Sequence, residues 1–308
     1  MQVEQILRIS RVVSDLDRAV QFYSALGFTS IARGPAEAQE LLALGAPRAG
    51  ALEAVMRLGA QELALVRFAA PGRAPPEDSR SNDLWFQHLA IVVSDMQAAH
   101  AALASQRGWR PIGSGGPQRL PPENGGVQAF KFRDPDDHPL ELLWFPPGQG
   151  RPVWHEHRLA APPARPAGPF LGIDHSALAV SSAAHSVAFY ESLGMHPGAR
   201  SLNEGPVQSH LDGLDCARVQ VTALRPPSTR GPGIELLAYQ PPGRPAAFGV
   251  TDLTCDWITL AVAPSPQQRA RSAERDAARS IEARAMLDPD GHRLVLIDAM
   301  SAGRGRER

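Results

Sequence analysis

The chain has 308 residues, of which 43% are hydrophobic and 20% are charged, and its formal net charge is −1 at pH 7. This composition is typical of a globular protein of about two domains and excludes a disordered or collagen-like chain. The lack of a basic excess predicts no nucleic-acid partner, and the lack of a long apolar run predicts no membrane partner. The N-terminal residues do not resemble a signal peptide, so we expect a cytoplasmic protein, monomeric or homodimeric, with a small-molecule substrate.

An internal repeat organises the sequence. VSDLDRAVQFYSALG at 13–27 matches VSSAAHSVAFYESLG at 180–194, with an offset of 167 residues. Two more divergent copies begin at Val92 and Leu260. In each copy an alternating strand leads into a residue that can cap a helix, and an amphipathic helix follows. The sequence therefore predicts four equivalent strand–helix units.

Strand-like runs follow each predicted helix, and the last of these lie at 61–68, 138–145, 233–240 and 292–299. A DPDxH sequence precedes this strand in the second and fourth units, at 134–138 and 288–292, and favours a tight turn over a catalytic role. The predicted fold class is α+β, with four tandem βαβββ modules that form two curved mixed β-sheets. The fourth module is expected to be the shortest.

A second level of repetition relates the two halves of the chain. AAPGRAPP at 69–76 ends the first module and QPPGRPAA at 240–247 ends the third. We therefore expect a two-module domain at 1–148, a Pro/Gly-rich linker at 149–169, a second two-module domain at 170–300 and a flexible tail at 301–308.

These modules resemble the vicinal oxygen chelate superfamily, which includes glyoxalases, bleomycin-resistance proteins and extradiol dioxygenases. The segments that carry the resemblance are VSDLDRAVQFYSALGF, FQHLAIVVSDM, KFRDPDDHPLELLWFP, IDHSALAV and GIELLAYQPP. The resemblance covers almost the whole chain and implies the glyoxalase-like fold. Members include lactoylglutathione lyases, epimerases, dioxygenases and metal-free binding proteins, so the fold alone does not give the activity.

The resemblance also implies where metal ligands lie, on the first and last strands of each module. The first-strand position, five residues before the valine that precedes the helix, is occupied by Arg8, His88, His175 and Trp257. The last-strand position is occupied by Ala64, Glu141, Glu235 and Val295. Only the second and third modules thus supply one histidine and one glutamate each.

This distribution favours a crossed pairing of module two with three and of module one with four. One site would then hold His88, Glu141, His175 and Glu235, and the site with Arg8, Ala64, Trp257 and Val295 would bind no metal. Two imidazoles and two carboxylates suit a divalent ion such as Zn, Ni, Co, Mn or Fe.

The resemblance and these residues imply a lactoylglutathione lyase or a related isomerase or epimerase. The substrate would chelate the metal through two adjacent oxygens, and Glu141 or Glu235 would transfer a proton. Two alternatives stay open: a metal-free ligand-binding protein of the bleomycin-resistance type, and an extradiol ring-cleavage dioxygenase. Lys131 or Arg133, on the strand beside that of Glu141, is a candidate for substrate contact.

Overall fold

The computed structural model describes residues 2–46, 50–156, 168–228, 231–263 and 283–298. The strands of the first half are β1 (Val3–Val12), β2 (Thr29–Pro35), β3 (Ala51–Leu58), β4 (Gln61–Phe68), β5 (Gln87–Val93), β6 (Arg110–Pro111), β7 (Gln118–Arg119), β8 (Gln128–Arg133) and β9 (Pro139–Trp144). Those of the second half are β10 (Phe170–Ala179), β11 (His196–Glu204), β12 (Arg218–Arg225), β13 (Gly233–Tyr239), β14 (Asp256–Val262), β15 (Ala283–Leu287) and β16 (Arg293–Asp298). The helices are α1 (Leu16–Ala25), α2 (Ala38–Ala43), α3 (Met96–Ala104), α4 (Val153–Glu156), α5 (Ala183–Ser192) and α6 (Gly205–Asp212), and Pro122–Asn124 form a 3₁₀ turn.

The strands form two mixed sheets, and each sheet draws on both halves of the chain. The first sheet has the order β15-β16-β14-β1-β4-β3-β2. The second has the order β11-β12-β13-β10-β5-β9-β8-β6, with β7 paired to β8. Module one therefore joins module four, and module two joins module three. The predicted fold class and the crossed pairing are confirmed.

Each module opens as the repeat predicted. The carboxylate or hydroxyl oxygens of Asp15, Asp95 and Ser182 accept hydrogen bonds from the backbone three residues later and cap α1, α3 and α5. Gly27 and Gly194 follow α1 and α5 with φ of 84° and 89°, the left-handed conformation that favours glycine at this position. These helices pack on one face of each sheet, and the opposite faces remain for the candidate sites.

Both DPDxH segments are turns, as predicted, and they also join neighbouring modules. The Asp134 carboxylate accepts hydrogen bonds from the amides of Asp136 and His138, and the hydroxyl of Tyr23 on α1 donates to its other oxygen over 2.9 Å. Asp288 repeats this arrangement with Tyr190 on α5 at 3.2 Å. The two repeat tyrosines are thus buried in the core, where they also tie module one to two and module three to four.

The fourth module is the least completely described. Its predicted helix falls within 264–282, outside the described residues, and of the three strands predicted after it the described residues contain β15 and β16. Most of the predicted linker and all of the predicted tail also lie outside the described residues, and the domain boundaries stay a prediction. None of the described helices is long and apolar enough to cross a membrane.

Candidate metal centre

The four predicted ligands lie on adjacent strands in the middle of the second sheet. Strand β5 carries His88 and β10 carries His175, and these two strands pair antiparallel. Strand β9, beside β5, carries Glu141, and β13, beside β10, carries Glu235. The register sets Glu141 and His175 on either side of Ala90, and His88 and Glu235 on either side of Ala177. Since side chains alternate between faces along a strand, all four project from the same face.

The side chains converge on one point above the two alanines. The Nε2 atom of His88 lies 3.1 Å from Oε2 of Glu141, and Nε2 of His175 lies 4.0 Å from the same oxygen. Nε2 of His175 also lies 3.4 Å from Oε2 of Glu235. His88, Glu141 and His175 each offer a ligand atom within 4.8 Å of the others. Glu235 lies outside this three-residue cluster and contacts it through His175.

The chemistry of this donor set fits a divalent metal ion. Nε2 of His175 is buried and has no hydrogen-bond partner among the described residues, and the same is true of Nδ1 of His88. Buried polar atoms are normally hydrogen-bonded. An unpartnered imidazole nitrogen that faces two carboxylates is therefore the arrangement expected where a cation binds between them. Imidazole and carboxylate together are ligands for borderline divalent ions.

A second set of residues fixes the ring of His175. The Asp174 carboxylate lies 3.1 Å from Nδ1 of His175 and accepts hydrogen bonds from Nε1 of Trp154 at 2.8 Å and Nη2 of Arg225 at 3.0 Å. A bulge in β10 between Ile173 and His175 lets two consecutive side chains meet in this way. Because a carboxylate accepts, Nδ1 carries the proton and Nε2 presents its lone pair to the site.

The charges and burial around the site shift the pKa values of the two glutamates in opposite directions. Burial raises the pKa of Glu141, but the charges of His88 and Lys131 outweigh it and bring that pKa down to about 2. Burial, and then the neighbouring Glu141 charge, raise the pKa of Glu235 despite the opposing effect of His175. Glu141 is therefore a permanent carboxylate, whereas Glu235 is the one that more readily holds a proton.

The two histidines also differ. Burial lowers the pKa of His88 to about 4, so its ring is neutral and ready to bind a cation. Burial likewise acts to lower the pKa of His175, but the Glu235 charge and the hydrogen bond with Asp174 outweigh it and raise the pKa. His175 is thus the ring that holds its second proton more strongly than His88 does, and this proton competes with a metal for Nε2.

A cavity of about 150 Å³ opens above the four side chains. Lys131 and the residues of α6 form part of its wall, and its apolar side is formed by Leu143, Val219, Leu237 and Tyr239. Arg133, the other residue predicted as a candidate for substrate contact, lies elsewhere: its guanidinium donates to the carbonyls of Asp137 and Ser79. Of the two candidates, Lys131 is the one in the cavity.

The equivalent position in the first sheet is closed. Glu40 of α2 is buried there and accepts hydrogen bonds from Nε1 of Trp257 at 3.0 Å and Oγ1 of Thr259 at 3.2 Å, and it forms an ion pair with Arg8 at 2.9 Å. Ala64 and Val295 pack against this group in an apolar cluster and offer no donor atoms. Glu40 neutralises the charge of Arg8. The position is occupied by the protein's own side chains.

The sequence did not predict the residues that hold other side chains of the two sites in place. Asp174 was within the quoted segment IDHSALAV, directly before a predicted ligand, but only the bulge brings its carboxylate to the ring. Glu40 on α2 and Asp212 on α6, which accepts a hydrogen bond from Lys131 at 2.6 Å, lie on helices inserted between strands, and the repeat pattern did not reveal these helices. Nothing in their local sequence indicates that they are buried.

Known proteins share this architecture. Residues 5–142 match the model of the Glyoxalase/Bleomycin resistance protein/Dioxygenase superfamily. Glyoxalase I from Zea mays superposes with a TM-score of 0.60 at 15% identity, over 99% of this chain and 97% of that chain. A protein from Bacillus subtilis described as a candidate dioxygenase superposes with a TM-score of 0.56 at 11% identity, over 97% of this chain and 86% of that chain. At these identities the likeness concerns the fold. No curated protein matches the sequence significantly. Residues 5–142 therefore match a domain of the Glyoxalase/Bleomycin resistance protein/Dioxygenase superfamily, and the chain as a whole shares its fold with glyoxalase I from Zea mays.

Proposed function

We propose that this protein is a metal-dependent enzyme of the glyoxalase type, a lyase, isomerase or epimerase that acts on a small molecule with two adjacent oxygen atoms. The observation that carries the proposal is the unpartnered, buried Nε2 of His175, which lies 3.4 Å from Glu235 and 4.0 Å from Glu141. His88 completes a cluster of the composition that divalent ions bind.

His88, Glu141, His175 and Glu235 would hold the ion, which is Zn, Ni, Co, Mn or Fe. When bound, it would supply Lewis acidity toward two substrate oxygens, which makes the hydrogen on the adjacent carbon more acidic. The open cavity above the four side chains supports access for such a substrate.

The two carboxylates have different roles in this proposal. Glu141, with its low pKa and its contact to His88, is a fixed anionic ligand. Glu235 lies at the edge of the cluster, 25% of its side-chain surface is accessible, and its pKa is raised. A general base needs a pKa nearer the working pH than an anchored carboxylate has. Glu235 therefore takes the proton from the substrate carbon and returns one to the neighbouring carbon; an epimerisation would need a second proton donor on the opposite face. The reaction needs no redox partner, since one proton is removed and one is returned, and a proton held by Glu235 can exchange with solvent before it is returned.

The test is proton exchange in D₂O by metal-loaded protein, followed by NMR. Substrates are the hemithioacetal of methylglyoxal with glutathione and a panel of 2-hydroxy and 2-oxo acids. We expect exchange of the hydrogen next to the oxygen pair, loss of exchange in Glu235→Gln with the metal retained, and no change in the control Arg8→Ala. Full exchange in Glu235→Gln would contradict the proposal.

One observation favours a second candidate, an extradiol dioxygenase. The tight cluster consists of two histidines and one glutamate, the ligand type of mononuclear iron(II) oxygenases. Glu235 counts against it, because a fourth protein ligand occupies a position that oxygen would need. Oxygen consumption with catechols by the iron(II)-loaded protein separates this candidate from the first. A protein that binds no metal under any condition would instead support the ligand-binding alternative.

A further inference from the structure

We propose that Lys131 binds an anionic oxygen of the substrate, and that the substrate is therefore a small 2-hydroxy or 2-oxo carboxylic acid rather than a glutathione conjugate. One carboxylate oxygen and the neighbouring oxygen would form the chelating pair, and the second carboxylate oxygen would accept a hydrogen bond from Lys131. This inference rests on the proposed function, because it names the substrate class of the same site.

The position of Lys131 directs its side chain toward the ligand cluster. Lys131 on β8 pairs directly with Glu141 on β9, so that both side chains project from the same face of the sheet. Lys131 is 4% exposed, and Nζ donates to Oδ1 of Asp212 over 2.6 Å. An ammonium group has three donors. The structure gives Lys131 this single hydrogen bond within the described ranges, and Lys131 is among the residues that line the cavity.

Asp212 holds this ammonium in place. Its second carboxylate oxygen accepts from Nε2 of Gln208 at 2.7 Å, and its carbonyl accepts from Oγ of Ser81 at 2.8 Å. The amide of Ser114 donates to the carbonyl of His210, which anchors the end of α6 to another loop. The counter-ion is thus rigid. A rigid carboxylate behind a lysine orients the remaining N–H groups before a ligand arrives, which lowers the entropic cost of binding.

Lys131 lies in the second sheet, the one that carries the four predicted metal ligands, and the first sheet has no lysine at the equivalent position. In the first sheet, Ala285 pairs with Val295 as Lys131 pairs with Glu141. Lysine and arginine together number 31, and Lys131 is the single lysine of the chain. The other basic residues of the chain are arginines. An ammonium group is more compact than a guanidinium, so a lysine at this position leaves more room in the cavity for a ligand.

The size of the cavity limits the part of the substrate that lies within it. Its volume of about 150 Å³ equals that of an engineered protein cavity that holds benzene, a molecule of about six non-hydrogen atoms. A small carboxylic acid with a short apolar chain fits this volume, with its chain toward Leu143 and Leu237. A glutathione conjugate is several times larger, so most of it would have to lie outside the cavity.

The experiment compares two chelators on the cobalt(II)-loaded protein. Oxalate offers two vicinal oxygens and further carboxylate oxygens, whereas acetohydroxamate offers two vicinal oxygens and no carboxylate. Binding is followed by the visible absorption of cobalt(II) at fixed free metal concentration. The variants are Lys131→Met, Lys131→Met with Asp212→Asn, which leaves no buried carboxylate unpaired, and the control Arg8→Met.

We expect both Lys131 variants to bind oxalate at least tenfold more weakly and acetohydroxamate within twofold of the wild type, with unchanged cobalt affinity. Arg8→Met should match the wild type with both chelators. Equal responses to the two chelators in the charge-neutral double variant would overturn the inference and leave the proposed function intact. Failure of the wild type to bind cobalt would overturn the proposed function, and the inference with it.

Discussion

Arg73 and Arg244 make the same contact at two equivalent places in the chain. Arg73 binds the Asp252 carboxylate through Nε at 3.1 Å and Nη2 at 2.7 Å, and Arg244 binds Asp83 through Nε and Nη2 at 3.0 and 2.8 Å. These arginines belong to the two repeated segments AAPGRAPP at 69–76 and QPPGRPAA at 240–247. Each connects the loop of one half to the loop of the other, just before β5 and β14 begin. The crossing of modules that brings His88 next to His175 is made by the pairing of β5 with β10, and the two arginine–carboxylate contacts add a further connection between the halves.

Replacement of Asp83 by alanine should destabilise the protein by about 2 kcal/mol. The buried Asp83 carboxylate also accepts the backbone amides of Arg80 and Arg244, and its loss leaves these donors without partners. The matched control is Asp78→Ala, which removes an exposed contact to the same arginine and should cost less than about 0.5 kcal/mol. Urea unfolding measures both. Equal effects of the two variants would show that the loop contact does not stabilise the fold.

Asp174→Asn should weaken metal binding by about tenfold to a hundredfold, the usual effect when the carboxylate partner of a metal-binding histidine is lost. The change leaves His175 in place but weakens the hydrogen bond that keeps the proton on Nδ1. Trp154→Phe removes one hydrogen bond to the same carboxylate and should have a smaller effect in the same direction. Cobalt titration provides the readout, with apo-protein thermal unfolding as the control. Wild-type metal affinity in Asp174→Asn would rule out this positioning role.

The metal-free protein should lose stability as the pH falls from about 6.5 towards 4. Burial lowers the pKa of His138 to about 4, so between these values the unfolded chain binds a proton that the folded protein does not. One such group gives a slope of about 1.4 kcal/mol per pH unit. His88 acts in the same direction. In His138→Gln, the slope of the unfolding free energy against pH should decrease by the contribution of one titrating group, about 1.4 kcal/mol per pH unit. An unchanged slope would mean that His138 is charged in the folded protein.

Glu40→Ala should destabilise the protein by about 3 kcal/mol, because among the described residues the half-buried guanidinium of Arg8 then keeps a single ion-pair contact, the one to Glu53 at 3.8 Å. The double variant Arg8→Met with Glu40→Leu should cost less than Glu40→Ala alone, since it removes both charges of the 2.9 Å ion pair together. Metal content should stay at the wild-type value in both. Metal uptake by the first sheet in either variant would refute our interpretation of this position.

The repeats made the architecture predictable, because a constant spacing of strand, cap, helix and glycine specifies one module and its copies. The uneven distribution of histidine and glutamate among the copies predicted which modules pair. Residues that act across modules were beyond this reasoning. Asp174 reaches His175 only through a bulge, and Glu40 is buried only because α2 folds onto a sheet that contains Trp257. Their burial depends on tertiary packing rather than on a local pattern.

The most direct test of the account is the number of metal ions bound per chain. Cobalt(II) or zinc(II) titrated into apo-protein should saturate at one equivalent, held by the second sheet, and Arg8→Ala should leave this number unchanged. His175→Ala and Glu141→Ala should bind no ion with comparable affinity while keeping the wild-type fold by circular dichroism. Saturation at two equivalents, or undiminished binding by His175→Ala, would contradict the assignment of the site.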